Sequence, residues 1–182
     1  TRRSILIAWV LLSAILLASG WNRIAAGQLP APDDALPLVQ LRDLIAGQAW
    51  FDMVQHRIDP SGGTPMHWSR LVDIPLLLVA LVAGEAAALV IVPLLTLGVI
   101  VWAVGRLAAR MLGPDKVIYA CLVSGFLPPL VMRIQPMRID HHGWQIAMVA
   151  LAALALTNDH SRRGGTMAGL AMAARLPIPR EL

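Results

Sequence analysis

The chain of 182 residues is 57% hydrophobic and only 14% charged, with a formal net charge of +4 and a mean hydropathy of +0.66. Because soluble globular domains carry about a quarter charged residues, this composition indicates a membrane protein. The arginines adjoin apolar runs, and no aromatic-basic motif predicts nucleic-acid binding. The single cysteine, Cys121, excludes an internal disulfide and a cysteine-rich zinc site.

Four apolar segments are candidate spanning helices, since a span needs about 20 mostly apolar residues. They cover residues 4–21, 86–105, 117–132 and 143–157, and the last is short unless its helix begins at Asp140. We interpret the first as a retained helix, although the basic residues before it also fit a signal peptide. The predicted fold class is therefore an all-α membrane protein, a polytopic bundle of about four spanning helices.

Basic residues flank these segments on one side of the predicted membrane. They are Arg2, Arg3, Arg106, Arg110, Lys116, Arg162 and Arg163. The positive-inside rule places this side and the N-terminus in the cytoplasm. We therefore expect a multi-pass protein of the bacterial inner membrane, with segments 22–85 and 133–142 outside.

The segment 22–85 is too long for a simple connector. Leu38, Leu41 and Leu44 recur at helical spacing and predict an amphipathic helix that ends near Gly47. We therefore expect a large helical extracytoplasmic loop after the first span. Residues 1–182 as a whole are predicted to form one transmembrane domain, the N-terminal part of a larger protein.

Two polar clusters fall on this outer side, Asp33-Asp34 and Asp140-His141-His142. Ionisable groups cost free energy near lipid, so their position favours a function. Capping is the simpler interpretation, because Asp34 and Asp140 each precede a predicted helix. Asp140 and His142 are close enough in sequence to bind one ion, and with more carboxylates they favour Mn²⁺ or Mg²⁺.

Three arginines are candidate phosphate-binding residues. Arg133 and Arg138 flank the second cluster, and Arg70 follows His67 and Trp68 in the outer loop. Guanidinium groups bind phosphate in a bidentate manner. Anchoring at the membrane interface is the alternative role for these side chains.

These features together resemble the GT-C superfamily of membrane glycosyltransferases, with the nearest likeness to oligosaccharyltransferase catalytic subunits. In that family the first transmembrane helix leads into a large outer loop that opens with an acidic motif, and a second acidic motif follows the third helix. Here Asp33-Asp34 looks like the first motif, and the Asp-His-His triplet at 140–142 looks like the second. The stretch 42–52 is similar to the amphipathic loop helix and its exit.

The resemblance implies metal-assisted transfer of a sugar from a polyprenyl-phosphate donor, at the outer face of the membrane, to a protein or glycan acceptor. Asp34 would bind the divalent cation and orient the acceptor, with Asp140 and His142 as further ligands; Asp33 is the alternative to Asp34. The family also has a later outer loop and a soluble C-terminal domain. We therefore do not expect residues 1–182 to be sufficient for activity.

Two other functions stay open. A transporter or ion-translocating component would carry polar residues deep within its spans, and the first, second and fourth predicted spans are nearly free of them. A non-catalytic structural subunit would tolerate replacement of both acidic clusters without loss of activity.

Overall fold

The computed structural model describes residues 1–66, 69–158 and 161–175. It is about 75% helical with almost no sheet, which confirms the helical class. The helices are α1 (Arg2–Ala25), α2 (Ala35–Ile45), α3 (Asp73–Ala83), α4 (Glu85–Met111), α5 (Val117–Gly125), α6 (Pro128–Ile134), α7 (His141–Leu156) and α8 (Ser161–Arg175). An unpredicted antiparallel hairpin pairs β1 (Val54–Gln55) with β2 (Thr64–Pro65).

Among the described residues, α1 and α4 are the two single helices long and apolar enough to cross a membrane. They contain 24 and 27 residues. At 1.5 Å per residue both exceed the roughly 30 Å of a hydrocarbon core. The first two predicted spans are therefore confirmed as candidates.

The predicted third span over 117–132 is not one helix, because α5 and α6 meet at a bend of 70°. Pro128 explains the break: a residue that precedes proline avoids the helical conformation, and Leu127 is extended at φ −63° and ψ 121°. The bent pair is either a broken span or a re-entrant loop. Helix α7 has only 16 residues, about 24 Å, so two or three spans are supported and a bundle of four is not confirmed.

Helix α4 is the centre of the bundle and contacts α1, α3, α5, α6 and α7. Gly105 allows the closest approach, since a Cβ atom there would lie 2.5 Å from Cγ1 of Ile5 and 2.9 Å from Sγ of Cys121. The main apolar core fills this region with buried side chains from α1, α4, α5, α6 and α7.

A second apolar cluster packs the segment between α1 and α4 onto the beginning of α4. It contains Leu38, Leu41, Leu76, Ala88, Leu89, Val92, Met137 and Ile139. Because it joins α2 and α3 to the connection between α6 and α7, the first polar motif lies against the second.

Helices α1 and α4 run antiparallel, since Ile5 lies near Gly105 and Trp9 lies near Gly98. Arg2 and Arg106 accordingly lie at the same end of the pair. The contacts between the two polar motifs lie at the opposite end, where the beginning of α4 meets the connection after α6.

Candidate functional site

The connection 135–140 presents the second motif in a constrained backbone conformation. Met137 has a φ of +71°, a left-handed conformation that costs a residue other than glycine about 1–3 kcal/mol. Its N–H donates to the carbonyl oxygen of Leu89 at 2.8 Å. That carbonyl lacks its usual helical donor because Pro93, four positions later in α4, has no N–H. The proline thus supplies the acceptor that helps to hold this connection in place.

Asp34 is fully buried, and its carboxylate joins the two motifs. Its Oδ1 accepts hydrogen bonds from the backbone N–H groups of Ile139 at 2.9 Å and Asp140 at 3.1 Å. Its Oδ2 accepts from the guanidinium of Arg138 at 3.2 Å and from the N–H of Ala31 at 3.1 Å. An ionised carboxylate has about four acceptor positions, and four donors occupy them. Two residues 106 positions apart in sequence are thereby in direct contact.

Capping of α2 does not explain Asp34, because its side chain makes no hydrogen bond to that helix. Its contact with the N–H of Ala31 instead closes the 3-10 turn just before α2. Asp140 does cap α7, since its Oδ1 accepts from the N–H of His142 at 3.1 Å. Burial raises the pKa of Asp34, while the hydrogen bond from Ile139 and the charge of Arg138 oppose that rise. Asp33 is exposed, so the two adjacent carboxylates occupy opposite environments.

Arg138 bridges the two buried carboxylates. Its Nη1 lies 3.2 Å from Oδ2 of Asp34 and its Nη2 lies 2.5 Å from Oδ2 of Asp140. The Arg138 side chain is only 8% exposed. A positive charge between two buried negative charges offsets their mutual repulsion and part of their desolvation. The guanidinium of Arg138 is therefore buried between the two carboxylates and is not exposed to bind a ligand.

Arg133 and His142 form the solvent-facing side of the network, with side chains 39% and 36% exposed. Nδ1 of His142 lies 3.1 Å from Oδ2 of Asp140, and Nη1 of Arg133 lies 3.5 Å from the same oxygen. Nη1 of Arg133 also lies 3.4 Å from Nδ1 of His142. Because a guanidinium only donates, Nδ1 is the acceptor of that contact in the tautomer that carries its proton on Nε2. The ring is thus held between a donor, Arg133, and an acceptor, Asp140.

The predicted cation does not fit this arrangement of side chains. Within the described ranges, the structure contains no group of three or more His, Cys, Asp or Glu side chains that could hold a metal ion. The oxygens of Asp34 and Asp140 already accept hydrogen bonds from Arg138 and from backbone N–H groups. A cation shared by the two carboxylates would have to displace Arg138. Mn²⁺ or Mg²⁺ therefore stays a prediction from the family resemblance.

Arg70, the third predicted phosphate ligand, is buried within the segment between α1 and α4 and is 5% exposed. Its guanidinium donates to Oε1 of Gln48 at 3.0 Å and to the carbonyl oxygen of Asp52, and it lies 3.8 Å from Asp73. These contacts hold the loop together and do not involve the polar motifs. His67 and Trp68, which precede it, lie outside the described residues.

A cavity of about 30 Å³ lies beside the second motif and is lined in part by Thr96, Arg133, Arg138 and Asp140. This volume is enough for about one or two water molecules and too small for a sugar. Access to the network from solvent is on the side of Arg133 and His142, its two partly exposed members. The sequence alone does not indicate this direction, because the two side chains project from α6 and α7, whose relative angle is a tertiary property.

No protein-family model, curated protein or solved structure matches this chain. The structure by itself defines a helical protein with two or three candidate membrane spans. At one end of its bundle it carries a buried Asp–Arg–Asp network with a partly exposed Arg–His face.

Proposed function

We propose that this chain is part of a GT-C-type membrane glycosyltransferase. It would use a polyprenyl-phosphate sugar donor at the outer face of a bacterial inner membrane. The observation that carries the proposal is the meeting of the two motifs: Oδ1 of Asp34 accepts from the N–H of Asp140 at 3.1 Å. Contact between two short motifs far apart in sequence is what a single shared site requires.

Arg133 is the arginine that we assign to the donor phosphate. It is partly exposed, and its contacts with Asp140 at 3.5 Å and with Nδ1 of His142 at 3.4 Å are both long, so its guanidinium can turn to a phosphate at little cost in free energy. A guanidinium can form two parallel hydrogen bonds to a phosphate. Arg138 remains between the carboxylates as a positioning residue, and Arg70 positions the outer loop.

His142 is the candidate general base in this proposal. Its Nδ1 lies 3.1 Å from Oδ2 of Asp140 and 3.4 Å from Nη1 of Arg133. In the tautomer that carries its proton on Nδ1, the Nε2 atom takes the proton of an acceptor hydroxyl or amide. The acceptor atom then bonds to the anomeric carbon while the bond between that carbon and the phosphate oxygen breaks. The electron pair leaves with the polyprenyl phosphate, whose charge Arg133 stabilises. Asp33, the exposed carboxylate of the first motif, is a candidate to orient the acceptor.

The test compares three variants of the full-length protein expressed in its own membranes. Arg133→Gln and His142→Gln should each reduce sugar transfer from the lipid-linked donor by about 10²-fold or more. Arg57→Gln is the matched control, because Arg57 is 60% exposed and pairs with a carboxylate, Asp43, at 3.1 Å. Wild-type transfer by Arg133→Gln and His142→Gln at normal protein levels would overturn the proposal.

A second candidate is a non-catalytic structural subunit. It is favoured by the complete hydrogen bonding of Asp34, since a saturated buried network rigidifies a fold without requiring a ligand. In that case Arg133→Gln and His142→Gln leave the activity of the assembly unchanged, while Asp34→Asn lowers the amount of folded protein. The transfer activity of Arg133→Gln and His142→Gln therefore separates the two candidates.

A further inference from the structure

A groove of about 780 Å³ lies between the outer faces of α1 and α4. Apolar side chains from both helices line it, including Leu6, Leu95 and Trp102. These three side chains are 55%, 46% and 46% exposed, so the groove is open along its length. It lies on the two helices that are long and apolar enough to cross a membrane, so we take its open side to be accessible to lipid.

Trp9 and Gly98 give the groove its shape. Nε1 of Trp9 donates to the carbonyl oxygen of Leu94 at 2.8 Å, which fixes the indole ring across the two helices. A Cβ atom on Gly98 would lie 3.1 Å from that nitrogen, so glycine allows the ring to lie against α4. The groove is thus bounded by a hydrogen-bonded ring rather than by mobile side chains alone.

Two arginines, Arg2 and Arg106, line the same groove. Neither forms an ion pair or hydrogen bond through its side chain with any residue in the described part of the chain. Two guanidinium groups beside an apolar surface match the chemistry of a lipid phosphate with an acyl chain attached. From Leu95 to Arg106 the helix rises about 16 Å, close to half of a roughly 30 Å hydrocarbon core. The groove therefore has the length of one leaflet.

We propose that this groove binds an anionic phospholipid of the surrounding bilayer. The lipid phosphate lies between Arg2 and Arg106, and one acyl chain lies along Leu95 and Trp9. This site is at the opposite end of α1 and α4 from Asp34 and does not depend on the proposed glycosyl transfer. Its headgroup is recognised by charge, so a phospholipid with net negative charge binds more tightly than a zwitterionic one.

The test measures lipid binding to the full-length protein in detergent by native mass spectrometry. The probes are dioleoyl phosphatidylglycerol and dioleoyl phosphatidylcholine. The wild type should bind the anionic lipid at least tenfold more tightly than the zwitterionic one. The double variant Arg2→Gln/Arg106→Gln should lose that preference. Arg3→Gln is the matched control, because it removes the same charge from the same end of α1 at an exposed position outside the groove lining.

A second variant tests the apolar part of the groove. Leu95→Trp enlarges a side chain that is 46% exposed in the groove and leaves every charge in place, and it should weaken binding of both lipids at least threefold. The proposal is overturned if the double arginine variant keeps the wild-type preference, or if Arg3→Gln abolishes it equally. It is also overturned if the wild type is a dimer in detergent and Leu95→Trp makes it a monomer without changing lipid binding. In that case the groove is occupied by a second copy of the chain.

Discussion

Replacement of Asp34 by asparagine tests whether a carboxylate is needed to join the two motifs. The amide has the same shape, and its oxygen can keep the two hydrogen bonds from Ile139 and Asp140. Its NH₂ group, however, would face two donors, the N–H of Ala31 and the guanidinium of Arg138. An unsatisfied buried donor costs about 1–3 kcal/mol, and removal of one partner from a buried ion pair costs about 3–5 kcal/mol.

The expected loss lies at the lower end of that range, about 3 kcal/mol, because Arg138 keeps its contact with Asp140 at 2.5 Å. For a chain of this size each kcal/mol corresponds to about 2–4 °C in melting temperature. Asp34→Asn should therefore lower the melting temperature by roughly 6–12 °C, measured by intrinsic fluorescence of the purified protein in detergent.

Asp33→Asn is the matched control, since it makes the same chemical change one position earlier at an exposed residue. Surface substitutions of this kind usually stay within about 0.5 kcal/mol, so its melting temperature should move by less than about 2 °C. Equal melting temperatures for the two variants would show that the carboxylate of Asp34 does not connect the motifs as described.

Two further predictions concern the pH dependence of stability and the packing of the bundle. Burial raises the pKa of Asp73 from its ordinary 3.8 to about 6, and the charge of Arg70 only partly opposes this rise. Between these two values the folded state keeps a proton that the unfolded state releases. The free energy of unfolding should therefore fall as pH rises from 4 to 6 and level off above that. The free energy of unfolding of the wild type should fall by about 3 kcal/mol more than that of Asp73→Asn over this pH range. If the melting temperatures of the two proteins change in parallel with pH, the prediction is wrong. Gly105→Ala should destabilise the protein by about 1–3 kcal/mol through overpacking against Ile5. Gly169→Ala in helix α8 is the control in the same melting assay, because a Cβ atom there meets nothing within 4 Å. It should be neutral or stabilise the protein by up to about 1 kcal/mol. Equal effects of the two alanine substitutions would refute the close approach of α1 and α4 at Gly105.

The sequence was sufficient to predict α1 and α4, because their apolar length is a local property. The predicted amphipathic helix that ends near Gly47 is confirmed as α2 (Ala35–Ile45) for the same reason, since its leucines recur on one face and Leu38 and Leu41 are buried. The two-residue strands of the hairpin are too short for a period-2 pattern to be detected.

The break of the third segment depends on geometry that a hydropathy pattern does not contain. The sequence shows prolines near the end of the segment, but not that Leu127 turns extended and bends the chain by 70°. The neighbouring residues in sequence also do not predict that Asp33 is exposed while Asp34 is buried. These different environments follow from contacts with residues 138–140, which a distant part of the chain supplies.

The role of Pro93 also requires the structure. A proline within an apolar segment predicts a kink, and its consequence here is a free carbonyl on Leu89. That carbonyl accepts from Met137, one residue before Arg138. The position of the central guanidinium thus depends on a missing N–H in another helix.

The charges of this network lead to a final prediction about divalent cations. Two carboxylates, Asp34 and Asp140, face two guanidinium groups, Arg133 and Arg138, so the network is balanced without any added ion. Mn²⁺ should therefore not stabilise the wild type, whereas Arg138→Gln frees two buried carboxylates and should gain thermal stability when Mn²⁺ is added. If binding reaches a hundredfold excess over the dissociation constant, the gain is about 2.7 kcal/mol. Addition of Asp140→Asn to that variant should abolish the gain. If instead Mn²⁺ stabilises the wild type and Asp140→Asn removes the effect, a cation binds between these carboxylates and the arginines move aside to admit it.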